Sequence, residues 1–250
     1  MSPSDPIAGL PENEDYGHFT AMQVRRGATR GLQLHLDRVD AANRQIFGEP
    51  LDGDVVRQRV RRGLGDRADA SVRFSVLRPA GEPWKAPTVM VAVDDPVAMP
   101  TGPLRLRSAV YQRPLPHLKH VASAGQRHHR ELALHAGFDE ALLTNEGGVI
   151  SEGAITNVGF LDGTTVVWPD APALAGITMQ LVVPALAARG IRSVRRQVRL
   201  ADIVLFDGAF VTNSWGVATV SAIDDVPIPV DDAFAVTLMA AYQSVPWDPI

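Results

Sequence analysis

The run PVAMPTGP at 96–103 puts three prolines and a glycine into eight residues. Proline fixes φ and has no N–H to donate, so neither a helix nor an interior strand runs through such a stretch. The chain is therefore expected to divide into residues 1–98 and 104–250, with 99–103 as the linker. Its 250 residues suffice for two domains of ordinary size.

Each part reads as mixed α/β. In the first, HFTAMQVR at 18–25 alternates as a strand, GATRG at 27–31 reads as a turn, and LQLH at 32–35 as the returning strand. Leu36, Val39, Ala42 and Ile46 then follow helical spacing up to the GEP stop, and 54–64 is a short Arg-rich amphipathic helix. ASVRFSVLR at 70–78 is a half-buried strand, and TVMVAV at 88–93 reads as a more fully buried one. In the second part, LRLRSAVY is a strand and residues 121–136 are helical up to Gly137. EALLT, VISEG, TNVGFLD and TTVVWP are short strands joined by NEGG and DG turns. TMQLVVPALAARG at 178–190 is a helix that Pro184 must start late or kink. RSVRRQV, GAFVTNS and VATVSAID are strands, and DDAFAVTLMAAYQSV is a C-terminal helix with an Asp cap.

Composition removes several classes of function. The absence of cysteine excludes a disulfide framework, a thiolate metal site and a Cys nucleophile. A net charge of −4 with no basic block argues against nucleic acid as the main partner. No apolar run reaches the length of a membrane span. The acidic, Pro- and Gly-rich N-terminus resembles neither a signal nor a transit peptide, so a soluble cytoplasmic protein is expected. The seven histidines show no metal-ligand spacing, so no metal site is expected. No G-x-S-x-G elbow supports a hydrolase triad, and RRGLGDR lacks the context of a phosphate loop.

Of the 24 basic residues only Lys85 and Lys119 are lysine. Lysine can form a Schiff base or lose its proton near neutrality, and arginine can do neither. Lys119, in PLPHLKHVAS, lies where a strand gives way to a helix; alone it reads as a surface lysine. Glu152, between apolar strand residues, either faces solvent or is buried with a partner. Arg38 reads as part of a solvated helix face. Gly176-Ile177-Thr178 opens a helix after a turn, where free backbone N–H groups and a hydroxyl make an anion site. Asn213 and Ser214 end a strand, and the serine could be a second hydroxyl donor to that anion.

These segments together resemble the class IV, or fold type IV, pyridoxal-phosphate aminotransferases, a group that includes D-amino-acid and branched-chain aminotransferases and aminodeoxychorismate lyase. The likeness rests on GHFTAMQV with HLDRV, on LKHV, on AGFDEALLTNEGGVISEGAITNVGF, on LAGIT, and on FVTNSWGVATVSAID, in that order over residues 16–225. It departs at Asp15-Tyr16-Gly17, at Met179 where arginine is usual, and at Ala218-Thr219-Val220. The resemblance implies two mixed α/β domains with pyridoxal 5′-phosphate between them, in a homodimer. It makes Lys119 the Schiff-base lysine and puts Glu152 at the pyridine nitrogen. Arg38, Gly176, Ile177, Thr178, Asn213 and Ser214 would hold the phosphate, with Leu174 against the ring. Phe19, Arg78 and Trp215 would face substrate. The implied function is amino transfer between an amino acid or amine and a 2-oxo acid; the alternative is a lyase of the aminodeoxychorismate type that releases pyruvate. A scaffold used only for binding would have lost the lysine or the glutamate, and both are present.

Overall fold

The computed structural model describes residues 16–79 and 85–250; the acidic N-terminal run, with Asp15, lies outside the described residues. The first part contains β1 (Tyr16–Val24), β2 (Ala28–Thr29), α1 (Leu32–Phe47), α2 (Gly53–Leu64), β3 (Ala70–Arg78) and β4 (Thr88–Asp94). β1, β3 and β4 form an antiparallel sheet in that order. Successive strand residues face opposite ways, so Met22, Val24, Val72, Phe74 and Val76 meet the apolar stripes of α1 and α2 on one face. Each such side chain contributes roughly 1.5–3 kcal/mol through burial.

Two expectations fail here. LQLH is the first turn of α1, because Leu32, Leu36 and Val39 share one helical stripe in the core. TVMVAV is only half covered, since β4 is an edge strand and leaves Met90 57% exposed.

The second part contains β5 (Leu104–Val110), α3 (Ala124–His135), β6 (Glu140–Thr144), β7 (Ile150–Gly153), β8 (Asn157–Asp162), β9 (Thr165–Pro169), α4 (Ile177–Ala187) and β10 (Arg192–Arg196). A 3-10 turn at Leu200–Leu205, which the sequence pattern did not reveal, leads to β11 (Gly208–Asn213) and β12 (Gly216–Ile223). β13 (Val226–Pro227), α5 (Asp232–Gln243) and β14 (Asp248–Pro249) follow, and Asp231 caps α5 by accepting from Phe234 N. The sheet runs β10-β9-β8-β11-β12-β5-β6-β7, with β13 joined to β12. Phe160, Val211 and Val220 fill a core on one side; Phe210, Val217 and Trp168 meet α4 and α5 on the other. Burial on both faces explains why these strands read as continuous apolar runs.

α3 starts at Ala124, later than the expected 121, because the preceding segment is extended against β1. α1 has Gly31 at its N-cap in the left-handed region (φ 68°) and no side-chain cap of its own. The Leu32 amide instead donates to Asp248 Oδ2 at 2.9 Å, brought there by pairing of β14 with β2. Asp248→Ala is expected to cost about 0.5–2 kcal/mol, read as a lower urea midpoint at unchanged slope.

Candidate active site

Lys119 lies in the loop between β5 and α3, and two backbone bonds fasten that loop to β1: Phe19 N to Lys119 O at 2.9 Å and Val121 N to Gly17 O at 3.0 Å. This pairing turns the lysine inward, into a cavity it shares with Phe19, Arg38, Glu152 and Thr178. Its Nζ lies 4.9 Å from the Phe19 ring centroid. Burial, reinforced by the Arg38 and Arg113 guanidiniums and partly offset by Glu152, lowers the amine from 10.5 to about 7.

Glu152 is 4% exposed and takes the buried alternative. Arg113 donates to its Oε1 at 3.0 Å and the Leu174 amide to its Oε2 at 3.1 Å. Burial raises the carboxyl above its usual range, against the pull of Arg113 and the amide. The other terminal nitrogen of Arg113 donates to Leu118 O at 2.7 Å, directly before Lys119.

The N-terminus of α4 opens on the same cavity at Gly176, Ile177 and Thr178. Gly176 is required by close approach: a Cβ there would stand 1.9 Å from Asn157 Oδ1. Asn157 is fixed in turn by donating to Leu174 O at 2.7 Å. The Thr178 hydroxyl donates to Asn213 O at 2.6 Å and so ties the two loops together. Ser214 and Asn213 line the same cavity. Arg38 is not on a solvated face: it donates to Ala175 O, and burial with the Arg113 charge lowers it to about 10. No carboxylate of the described residues pairs with it. His35, one turn earlier, lies 2.6 Å from Thr20 Oγ1, and burial beside Arg38 and Lys119 lowers it to about 3, which keeps it neutral.

Arg78 and Trp215 are not brought to the cavity wall. Arg78 ends β3 on the face of Phe74 and Val76, where it donates to Lys85 O at 2.9 Å and covers the Phe47 ring. Trp215 sits in the turn after β11, its amide bonded to Asn213 Oδ1. The cavity instead receives Trp247 and Tyr242, between which the Arg30 guanidinium stacks at 4.1 and 4.4 Å. Arg113, His35, Thr156, Asn157, Thr212 and Trp247 were not read from the sequence. His35, Asn157 and Thr212 lay within the quoted segments HLDRV, VISEGAITN and FVTNS, and Arg113 lay close in sequence to Lys119.

The amino-transferase class IV family matches residues 17–223, and the chain belongs to that family. It is 26% identical over 217 residues to the "Putative branched-chain-amino-acid aminotransferase" of Methanocaldococcus jannaschii, covering 79% of this chain and 75% of that protein. The fold is similar to that of the "Putative 4-amino-4-deoxychorismate lyase" of Legionella pneumophila, at 19% identity and TM-score 0.82 over 98% of this chain and 97% of the other. It is also similar to the fold IV-transaminase of Curtobacterium pusillum, at 24% identity and TM-score 0.81 over 95% of this chain and 89% of the other. These likenesses give fold type IV.

Arg113→Leu leaves Glu152 buried without its cation and is expected to cost about 3–5 kcal/mol. Arg113→Leu with Glu152→Leu should recover part of that loss, read by denaturant unfolding of both variants.

Proposed function

We propose that the protein is a pyridoxal-phosphate-dependent transaminase that moves an amino group between an amino acid or amine and a 2-oxo acid. The observation that carries this reading is Lys119: a cavity-facing amine brought to about 7, beside a buried carboxylate. The residues present fit the cofactor. The α4 N-terminus has no side-chain cap, Arg38 has no carboxylate partner among the described residues, and the buried Thr212 hydroxyl has no hydrogen-bond partner among them. Together they suit a phosphate dianion. In this reading Arg38, the Ile177 and Thr178 amides, Asn213 and Ser214 hold the phosphate, and Leu174 borders the ring.

Pyridoxal phosphate supplies, when bound, an aldehyde for an amine and a ring that accepts the electron pair released at the substrate Cα. Lys119 provides the neutral amine and moves the Cα proton at Nζ. Glu152, whose oxygens each keep a second lone pair after their present bonds, accepts from the protonated pyridine nitrogen. Arg113 holds that carboxylate in place. Phe19 excludes water from one side of Nζ and borders substrate. Assembly as a homodimer belongs to the same proposal and is checked by sedimentation equilibrium.

A lyase of the aminodeoxychorismate type is the second reading, favoured by the near-complete mutual coverage with the Legionella protein. Mixing holoprotein with D-alanine, L-glutamate, L-leucine and (R)-phenylethylamine separates the two. A transaminase converts the bound cofactor to its pyridoxamine form with at least one of them. A lyase releases pyruvate from aminodeoxychorismate and leaves the cofactor band unchanged.

Borohydride reduction should label Lys119 and not Lys85, and Lys119→Ala should abolish both label and turnover. An amine at about 7 is increasingly neutral above that pH and protonated below it. Cofactor capture by apoprotein should therefore speed up through pH 7 and then level off, instead of climbing toward pH 10. Glu152→Gln should still capture cofactor but slow Cα proton removal by roughly two or more powers of ten, the cost of losing an ion pair in a low-dielectric site. Stopped-flow half-reaction rates, with Glu146→Gln as control, check this.

A further inference from the structure

After α5 the chain returns to the first part. Residues 244–250 form a strap that ends on β2, with Asp248 opposite Thr29 and Pro249 opposite Ala28 in an antiparallel pairing. Ile250 N donates to Gly27 O at 3.1 Å, and Arg61 of α2 donates to Ile250 O at 2.5 Å. The Ile250 side chain joins the core between α1, α2 and their sheet. Ordering such a segment costs backbone entropy, which these contacts offset.

The strap is clasped at Arg30. This guanidinium is stacked between the ring of Tyr242, in α5, and the ring of Trp247, in the strap. Its Nε donates to Val245 O at 3.1 Å and its Nη2 to Gln243 O at 3.4 Å. A planar cation can lay its faces on two rings while its edge reaches carbonyls, which a lysine ammonium cannot. Arg30 therefore fastens the turn before α1 to the second part.

That turn decides where α1 begins. The next residue, Gly31, lies so near α4 that a Cβ there would stand 2.9 Å from Leu181 and 3.3 Å from Ile177. Farther along α1, Arg38 donates to Ala175 O, just ahead of α4. The anion cradle is thus built from both parts: Arg38 comes from α1, and Ile177 and Thr178 come from α4. Since α1 has no side-chain cap of its own, its first turn is held by Asp248 of the strap and by the fastened Arg30. Trp247, Tyr242 and Arg30 also line the cavity, so the clasp closes the wall on that side.

We propose that Arg30 and Trp247 are positioning residues: their clasp holds α1 against α4 and so sets Arg38 at the distance from the α4 N-terminus that an anion requires. The inference rests on the reading of that cradle as a phosphate site.

The test uses the full chain without cofactor and inorganic phosphate as the probe, with dissociation constants from titration calorimetry. Arg38→Ala should weaken phosphate binding about tenfold or more, through loss of one charge-assisted contact. Trp247→Ala and Arg30→Met should each weaken it by roughly three- to tenfold. In the Arg38→Ala background neither change should matter beyond about twofold, because a misplaced cation and an absent one are equivalent. A general loosening of the fold would instead weaken binding by the same factor in both backgrounds. Trp247→Phe, which still stacks on Arg30, should stay within about twofold of wild type. Val236→Ala, on the exposed face of α5, is the control and should change nothing. The stoichiometry of each titration reports any unfolded fraction apart from the affinity. Wild-type affinity in Trp247→Ala, or equal factors in the two backgrounds, overturns the proposal. If Arg38→Ala leaves phosphate binding unchanged, the cradle reading fails and the proposal with it; if Arg38→Ala weakens binding and Trp247→Ala does not, only the role of the clasp fails.

Discussion

The two terminal nitrogens of Arg113 reach Glu152 Oε1 at 3.0 Å and Leu118 O at 2.7 Å, so one planar cation joins a carboxylate in β7 to the peptide before Lys119. Both side chains of the pair are under a tenth exposed. A buried pair of this kind adds little net stability over apolar packing, but it is costly to break from one side. What it contributes is position. The fork fixes two directions at once, which a lysine ammonium on a flexible stem would not. The acidic wall of the cavity and the lysine loop cannot shift independently.

The cavity's electrostatics follow from that clamp. Arg113 cancels most of the one carboxylate close to Lys119, so Arg38 and Arg73 add their repulsion to the effect of burial, and the amine loses its proton near neutrality. The same excess of positive charge leaves Arg38 at a helix N-terminus without an anion from the described residues, next to backbone amides held open by Gly176. A site with this balance favours an anionic occupant, while the neutral His35 and the Phe19 ring keep its walls from solvating the charges.

A second buried carboxylate supports the segment after β7. Glu140 accepts from its neighbour Ala141 N at 2.9 Å and from Ile155 N at 3.3 Å, holding the turn that follows Glu152 and leads to Asn157. Burial raises it to about 7 despite those amides and Arg130 nearby. Asn157 passes the order on to Leu174 and, through contact, to Gly176. Glu152, Leu174 and Asn157 are thus joined by hydrogen bonds, and Gly176 packs closely on Asn157.

The sequence alone determined most of the element types, the Pro-rich break after β4, the order of the motifs and the identity of a lysine worth inspecting. These are local properties: strand alternation, helical spacing, turn chemistry and residue type are all written within a few positions. The family resemblance carried by those motifs further singled out Lys119, Glu152, Arg38, Gly176, Thr178 and Ser214, all of which line one cavity. Only the tertiary structure decided that Glu152 is buried and paired with Arg113, because the two are separated by a helix and a strand. It alone removed Arg78 and Trp215 from the cavity and supplied Trp247 from the far end of the chain. It also turned LQLH into helix, since Leu32 packs with Leu36 and Val39 on a shared core and its amide is capped by Asp248. Which charges meet, and therefore which amine loses its proton near neutrality, depends on distances that the chain's local pattern does not encode.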